Sequence, residues 1–553
     1  MKENNMQLSR YPEIWGGIEC TIARIGGHYY DQLEAGGHYL RDGDISRLAE
    51  LNIKAIRYPL LWEKHQPVRD KPIDWAWPDR QLKHIVAEGI TPIVGLLHHG
   101  SGPNFTDLSQ PGFADDLAAY AGLVAERFPW LEYYTPVNEP LTTARFSGLY
   151  GLWYPHGKDE LACMTMLLNQ VKGIGCAMKA IRRVNPAARL VQTEDLSFIH
   201  SSPLLAYQAD FENCRRWLSF DLLCGKVDRD HRMWSYLMAI GIKDEDLAFF
   251  TSNPCPPDIL GVNYYVSSER YLDEETDNYP IAEHGGNGRH RYADVAAVRM
   301  VAPKGLLTLI EQVWQRYRLP IAITETHINC TREQQLRWLN ESWDAACEAR
   351  LRNIDVRALT PWALIGAYDW DSLLTATNGH YESGAYRIRH GVLELTAVGV
   401  LIQSLAKTGS YHHPLLESPG WWLSHRPCGK KTGSPIRPLL ILAKAENSTR
   451  WAGICHQRGI VCRILPSSSA NPNLERWQAI LKHYRPWAVI FAADTADPGL
   501  LTLSACSRLG VPTLLWKEYD GQNEPAVQHA LDLLIDEAIV REQPIAADQL
   551  QTI

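Results

Sequence analysis

Two glutamates stand out by the residues around them. Glu139 lies in Thr135-Pro-Val-Asn-Glu-Pro140, and Glu325 lies in Ile323-Thr-Glu-Thr-His327. Each closes a short apolar run. Two carboxyl groups flanking a glycosidic bond can break it: one protonates the leaving oxygen, while the other attacks the anomeric carbon or activates water. The pair works only where the two environments differ, so that one group stays protonated and the other ionised. A lone glutamate is ordinarily a solvated charge; an Asn-Glu-Pro at the end of a buried strand is not.

Something must bring these two positions together. Eight strand candidates precede residue 410: Glu13–Thr21, Ala55–Leu61, Thr91–His99, Tyr133–Pro140, Arg189–Leu196, Asp258–Tyr265, Ile321–Ile328 and Val356–Tyr368. They are short and bounded by Gly, Pro or charge, as buried parallel strands are. Amphipathic segments alternate with them, among them Asp42–Leu51, Pro78–Glu88, Gly112–Phe128, Leu161–Val184, Lys304–Tyr317, Glu333–Arg350 and Thr396–Lys407. Eight consecutive units favour a closed (β/α)8 TIM barrel over an open doubly wound sheet. Polar residues gather at the strand ends: His98 and His99 on the third, Asn138 and Glu139 on the fourth, Glu194 and Asp195 on the fifth. Asn263 and Tyr265 end the sixth, Glu325 the seventh, and Trp362 to Trp370 follow the eighth. That face of such a barrel carries the chemistry. Glu194 and Asp195 either enlarge a polar cleft or pair with a neighbouring Arg or Lys, the second being favoured.

The motifs resemble those of glycoside hydrolase family 1 across residues 10–410. TPVNEP at 135–140 is similar to its TxNEP, and ITETH at 323–327 to its ITENG. In chain order, WGGIECT (15–21), IRYPLLWEK (56–64), GLLHHGSGP (95–103), ILGVNYY (259–265) and PWALIGAYDWDS (361–372) resemble further segments of that family. The resemblance implies a retaining exo-β-glycosidase, with Glu139 as acid/base and Glu325 as nucleophile about 5–5.5 Å apart. It implies that Asn138 holds the sugar 2-hydroxyl and that Arg57 keeps the nucleophile ionised, since an opposite charge lowers a carboxylate pKa by ~1–3 units. Tyr265 would orient Glu325, His98 would bind a hydroxyl, Trp362 would form a floor under the sugar, and Asp369 and Trp370 would meet its hydroxyls. Neither metal nor organic cofactor is implied, and the ligand is a small β-glycoside or oligosaccharide.

The sugar-gripping positions depart from the pattern. The first-strand Gln is absent, its place falling near Ala23, with Glu19 as a substitute. His99 replaces a tryptophan, Asp369 a glutamate, and Thr326-His327 an Asn-Gly. A site built for particular hydroxyls rejects sugars that lack them, so these changes point away from plain glucose or galactose. The phosphate-binding set of phospho-β-glycosidases is not evident near 371–381. A transglycosidase with the same glutamates and a non-catalytic sugar-binding or scaffold protein are the competing readings.

Residues 410–436 are rich in Pro, Gly and Ser and read as a linker between a barrel of residues 1–409 and a small Rossmann-like α/β domain of residues 437–553. Residues 437–460 resemble the opening of dTDP-4-dehydrorhamnose reductases, but the turn Ala443–Ser448 has no glycine to approach a pyrophosphate and no Tyr-x-x-x-Lys pair follows. That implies a degenerate domain, structural or an assembly surface for a homo-oligomer. The 553 residues carry a net charge of −8, spread along the chain, with 45% hydrophobic and 21% charged residues. Nothing in that charge favours nucleic acid or an anionic membrane. Twelve scattered Cys, no CxxC, no leader and no recognised run of ~18 apolar residues place the chain in the cytoplasm as an expectation.

Overall fold

The computed structural model describes residues 10–423, 436–467, 474–492, 499–516 and 524–542. They form two compact units. One comprises residues 10–327, 342–384 and 388–393; the other comprises 328–341, 385–387 and the described residues from 394 onward.

In the first unit all eight expected strands are present and close into a barrel: β1 (Glu13–Gly17), β2 (Ala55–Pro59), β3 (Thr91–Gly95), β4 (Tyr133–Thr135), β5 (Arg189–Asp195), β6 (Ile259–Tyr265), β7 (Ile321–His327) and β8 (Val356–Pro361). Every neighbouring pair is parallel. The interior is packed. Trp15, Ala55, Ile93, Val191, Ile259, Ala322 and Ala358 form one buried cluster, and Tyr133 packs against it, so every strand contributes a side chain. This is why the strands read as apolar runs rather than as alternating ones.

Several strands are shorter than their apolar runs. Beyond β3 and β4, residues 96–99 and 136–139 lose regular strand geometry but stay paired through backbone hydrogen bonds and a parallel bridge between His98 and Asn138. The expected eighth strand is two: β8, and a separate Ala367–Tyr368 paired with Tyr381–Glu382. Two features escaped the sequence reading. A hairpin, Ile22–Ile25 with His28–Asp31, follows β1. A mixed sheet of Phe198–Ser201, Glu269–Asp273, Arg291–Ala296 and His284–Gly286 rises from the loops after β5 and β6. Its strands are short and not apolar throughout, so no periodicity announces them. The helix Glu160–Val184 also corrects an expectation. By length and composition alone it could cross a membrane, with a mean hydropathy of 1.2 over one window, but 61% of that window is buried in the protein.

In the second unit, β9 (Leu439–Ala443), β10 (Cys462–Pro466), β11 (Ala488–Ala492) and β12 (Thr513–Trp516) make a parallel sheet in the order β10-β9-β11-β12. Leu440, Leu442, Val489 and Phe491 pack on Trp477, Leu481, Ala505 and Cys506 of its helices. After β9 the helix Ala445–Gln457 starts at once, with Lys444 at its cap and no side-chain cap hydrogen bond. The helix Ala397–Thr408 falls in this unit, tied by its Ala397 N–H, which donates to Asp536 Oδ1 at 2.8 Å. Part of the expected linker is ordered: Trp422 is buried, and its indole N–H donates to Glu341 at 2.8 Å. Residues 424–435 of that linker lie outside the described residues.

Candidate active site

The barrel mouth gathers Glu139 and Glu325 into one hydrogen-bonded cluster. Glu325 owes its pose to an irregularity in β7. Ile323 pairs with Val262 and Glu325 with Asn263, so Thr324 is an extra residue with no partner on β6. Such a bulge re-aims the side chains beside it. The Thr324 hydroxyl donates to Asn263 Oδ1 at 2.6 Å, inside the barrel, where Gly261 leaves the room: a Cβ there would lie 2.8 Å from Thr324 Oγ1 and 2.9 Å from Thr193 Cγ2.

Both oxygens of Glu325 are held. Arg57 donates to Oε1 at 2.6 Å and the Tyr265 hydroxyl to Oε2 at 2.5 Å. Arg57 itself is fixed by the Thr324 carbonyl at 2.9 Å and Asn138 Oδ1 at 2.6 Å, and lies over the Trp362 ring. Burial lifts the Glu325 carboxyl above its ordinary range, while Arg57 and Tyr265 pull it back down. The expectation that Arg57 favours the ionised form therefore gives the right direction for that one contribution, but desolvation outweighs it. Tyr265, buried beside a carboxylate, keeps its proton to well above the usual phenol range and remains a donor.

Glu139 is treated differently. Its backbone sits in the left-handed region, φ 45° and ψ 63°, a strained conformation for a residue with a side chain. Among the described residues only Asn263 Nδ2 donates to its carboxyl, at 2.6 Å, and His99 Nε2 is 3.7 Å from its other oxygen. Burial first, then the charges of Glu325, Asp195 and Glu194, push it well above the carboxylate range. So one carboxyl has an arginine and a phenol, and the other has one amide and three acidic neighbours.

Around the pair, Asn138 Oδ1 also accepts from the Thr193 hydroxyl at 2.7 Å, which turns Nδ2 toward His98 and His99, 3.4 and 3.2 Å away. Burial and Arg57 keep both imidazoles neutral, His99 down to about 3. With Asn138 donating to its Nε2, neutral His99 carries its proton on Nδ1, toward Thr143 Oγ1 at 3.1 Å. His98 stacks on Trp362, centroids 5.3 Å apart and planes 5° off parallel. Gly17 makes space for that indole, since a Cβ would meet it at 2.2 Å. Glu19 accepts from Trp362 Nε1 at 3.0 Å and from the Thr21 N–H at 2.8 Å, and burial raises its carboxyl. Trp370 joins the cluster through His99, and its indole also acts on the Glu19 carboxyl, opposing the lift from burial.

Asp369 sits in the left-handed region, and its Oδ1 accepts the His380 N–H at 2.8 Å. One expectation needs correction. Glu194 pairs with no Arg or Lys among the described residues; it takes backbone and hydroxyl donors instead. Asn263, Thr193 and Thr324 were missed as site residues. Asn263 ends a polar-tipped strand, which was a signal, whereas the two threonines read as ordinary strand residues.

No protein-family model matches the chain. Curated relatives are found by direct comparison. The chain is 21% identical over 444 residues to Beta-glucosidase 47 of Arabidopsis thaliana, covering 70% of this chain and 78% of that protein. It is 22% identical over 420 residues to a Beta-glucosidase of an Agrobacterium species, covering 70% and 85%. These relatives are β-glucosidases, and a lactase/phlorizin hydrolase of Homo sapiens is 22% identical over 432 residues, covering 67% of this chain and 21% of that protein. Among solved structures, the Family 1 β-glucosidase from Thermotoga maritima is similar with a TM-score of 0.59 at 15% identity, covering 72% of this chain and 99% of that one. The same enzyme in complex with glucoimidazole is similar with a TM-score of 0.59 at 16% identity, covering 73% and 100%. The β-glucosidase likeness thus spans the barrel and the fold that carries Glu139 and Glu325.

Proposed function

We propose that the barrel is a glycoside hydrolase that cleaves β-glycosides with retention, by double displacement. Glu325 attacks the anomeric carbon and Glu139 protonates the leaving oxygen. Water then displaces the sugar from Glu325 as Glu139 takes up a proton. The observation that carries this reading is the asymmetry of the pair: donors on both oxygens of Glu325, and acidic neighbours around Glu139. That is the separation of environments which assigns nucleophile and acid. Asn138, His98, Trp362, Trp370 and Glu19 supply the sugar contacts. Glu19 and the shortened Asp369 favour a glycone other than plain glucose. On the same reading, residues 437–553 are a degenerate nucleotide-binding-type domain that serves structure or self-assembly, and the protein works in the cytoplasm.

The test is a panel of nitrophenyl β-glycosides, with the first anomer formed followed by proton NMR and a 2-fluoro glycoside used as a trap. Initial release of the β-anomer and covalent labelling of Glu325 are expected. Inversion, or a label elsewhere, overturns the mechanism.

A further inference from the structure

Glu194 is the penultimate residue of β5 and is 1% exposed. A buried carboxyl without a cation is costly unless donors saturate it. Here five do. Oε2 accepts the Leu141 N–H at 2.8 Å and the Ser219 hydroxyl at 2.6 Å. Oε1 accepts the Thr142 N–H at 3.3 Å, the Thr142 hydroxyl at 3.0 Å and the Asp195 N–H at 3.2 Å.

Leu141 and Thr142 are the second and third residues after Glu139. They open the helix Pro140–Ala144, whose cap position is Glu139 itself. The first N–H groups of a helix lack partners, and a cap side chain normally folds back to accept them. Glu139 has the chain length to do so, and that pose would withdraw its carboxyl from the mouth. It makes no such bond. The donors it would take are already occupied from β5.

We propose that Glu194 is a positioning residue for the acid/base glutamate: by occupying the free N–H groups of the turn after Glu139, it keeps the Glu139 carboxyl aimed at the leaving-group oxygen. This rests on the reading of Glu139 as the acid/base. Electrostatics act in the same sense. Bare N–H groups at a helix start favour an ionised carboxylate nearby, and Glu194 cancels that field. The titratable groups facing Glu139 are Glu325 from β7, Glu194 and Asp195 from β5, and His99 from the loop after β3; Arg57 from β2 reaches the adjoining Asn138. Of these, the three carboxyls raise Glu139. Removing the Glu194 charge therefore lets Glu139 lose its proton at lower pH.

The experiment is Glu194→Gln, assayed with β-glycosides of graded leaving-group ability. Acid catalysis contributes roughly 10²–10⁴-fold. For a phenyl or alkyl glycoside we expect kcat/KM to fall by about 10–100-fold, a partial loss of that contribution. The 2,4-dinitrophenyl glycoside, whose departure needs no proton, should stay near the wild-type rate. The alkaline limb of the phenyl-glycoside profile should move to lower pH. Ser219→Ala, which loosens the same carboxyl without removing it, should show the same selectivity on a smaller scale, and it serves alone should Glu194→Gln not fold. Equal losses on both substrates with an unmoved alkaline limb overturn the proposal. A wild-type protein inert on every glycoside instead overturns the functional reading on which it rests.

Discussion

The molecule buries charge in two places and treats it in opposite ways. At the barrel mouth, Glu19, Glu139, Glu194 and Glu325 are all buried, and among the described residues Arg57 is the one arginine or lysine paired with any of them. In the second unit, Glu333, Asp532 and Asp536 meet Arg458, Arg332 and Arg387. Arg458 bonds Glu333 and also Asp532 at 2.6 Å; Asp536 lies 2.8 Å from Arg332 Nε and 3.2 Å from Arg387 Nη1. Arg337 adds hydrogen bonds to the Arg458 and Gly459 carbonyls, both at 2.9 Å. Even there, burial lifts the Asp536 carboxyl against the pull of Arg332. The contrast separates two uses of buried charge. Where each carboxylate has its arginine, the charge ties segments distant in sequence together. Where carboxylates outnumber cations, burial raises their hold on a proton, Glu139 further than Glu325.

The contrast can be broken at several points. The largest effect belongs to Glu325→Gln, which should lower turnover of an aryl β-glycoside by on the order of 10⁴-fold or more while the protein still melts cooperatively. Substantial residual turnover would remove Glu325 from the nucleophile's role. Next comes Glu139→Gln, with a loss of roughly 10²–10⁴-fold on glycosides with poor leaving groups. In the wild type, Glu325 must be ionised and Glu139 protonated. Both are lifted by burial, Glu139 the further, so the bell of kcat/KM against pH should sit above the ordinary carboxylate range, and the variant should lose its alkaline limb.

In the second unit, Arg458→Met strands Glu333, which is fully buried. Breaking a buried pair costs about 3–5 kcal/mol, visible as an earlier thermal transition. Turnover per folded molecule should be unchanged, and a fall in turnover without a change in melting would blur the distinction drawn here.

The smallest effect sharpens the comparison at a third, solitary carboxyl. Glu63 accepts the Gly102 N–H at 3.0 Å, its other oxygen is buried with no side-chain or backbone hydrogen-bond partner among the described residues, and desolvation lifts it to about 8. The folded state holds this proton and the unfolded chain does not. Stability from this group is therefore full below the ordinary glutamate range and is lost as pH rises toward 8. Glu63→Gln, which cannot titrate, should gain about 3–4 kcal/mol relative to wild type at pH 8 over its effect at pH 5. Parallel melting curves at the two pH values would show that Glu63 is not held in this way.

The barrel was legible from sequence because its evidence is local. Apolar runs such as Ile321–Ile328 and amphipathic stretches such as Gly112–Phe128 announce themselves, and both correspond to observed elements. Glu139 and Glu325 were legible for a related reason, since each terminates such a run in an unusual motif. The hairpin after β1 and the sheet above β5 and β6 were not, because their strands are held by partners rather than by their own periodicity. Nor was the role of Glu194. Its acceptor atoms find Leu141, Thr142 and Ser219, and nothing local distinguishes that from a salt bridge.

The amino-acid order alone therefore determined which residues could react and how many strands would carry them, since period and motif are properties of neighbouring residues. The tertiary structure decided which carboxyl received an arginine, which was left among acids and which was spent on a helix start. Those outcomes depend on strand register, on the extra residue Thr324 in β7 and on the closing of the ring. They bring together groups that are remote along the chain, where dielectric and hydrogen-bond partners, rather than residue type, fix the proton.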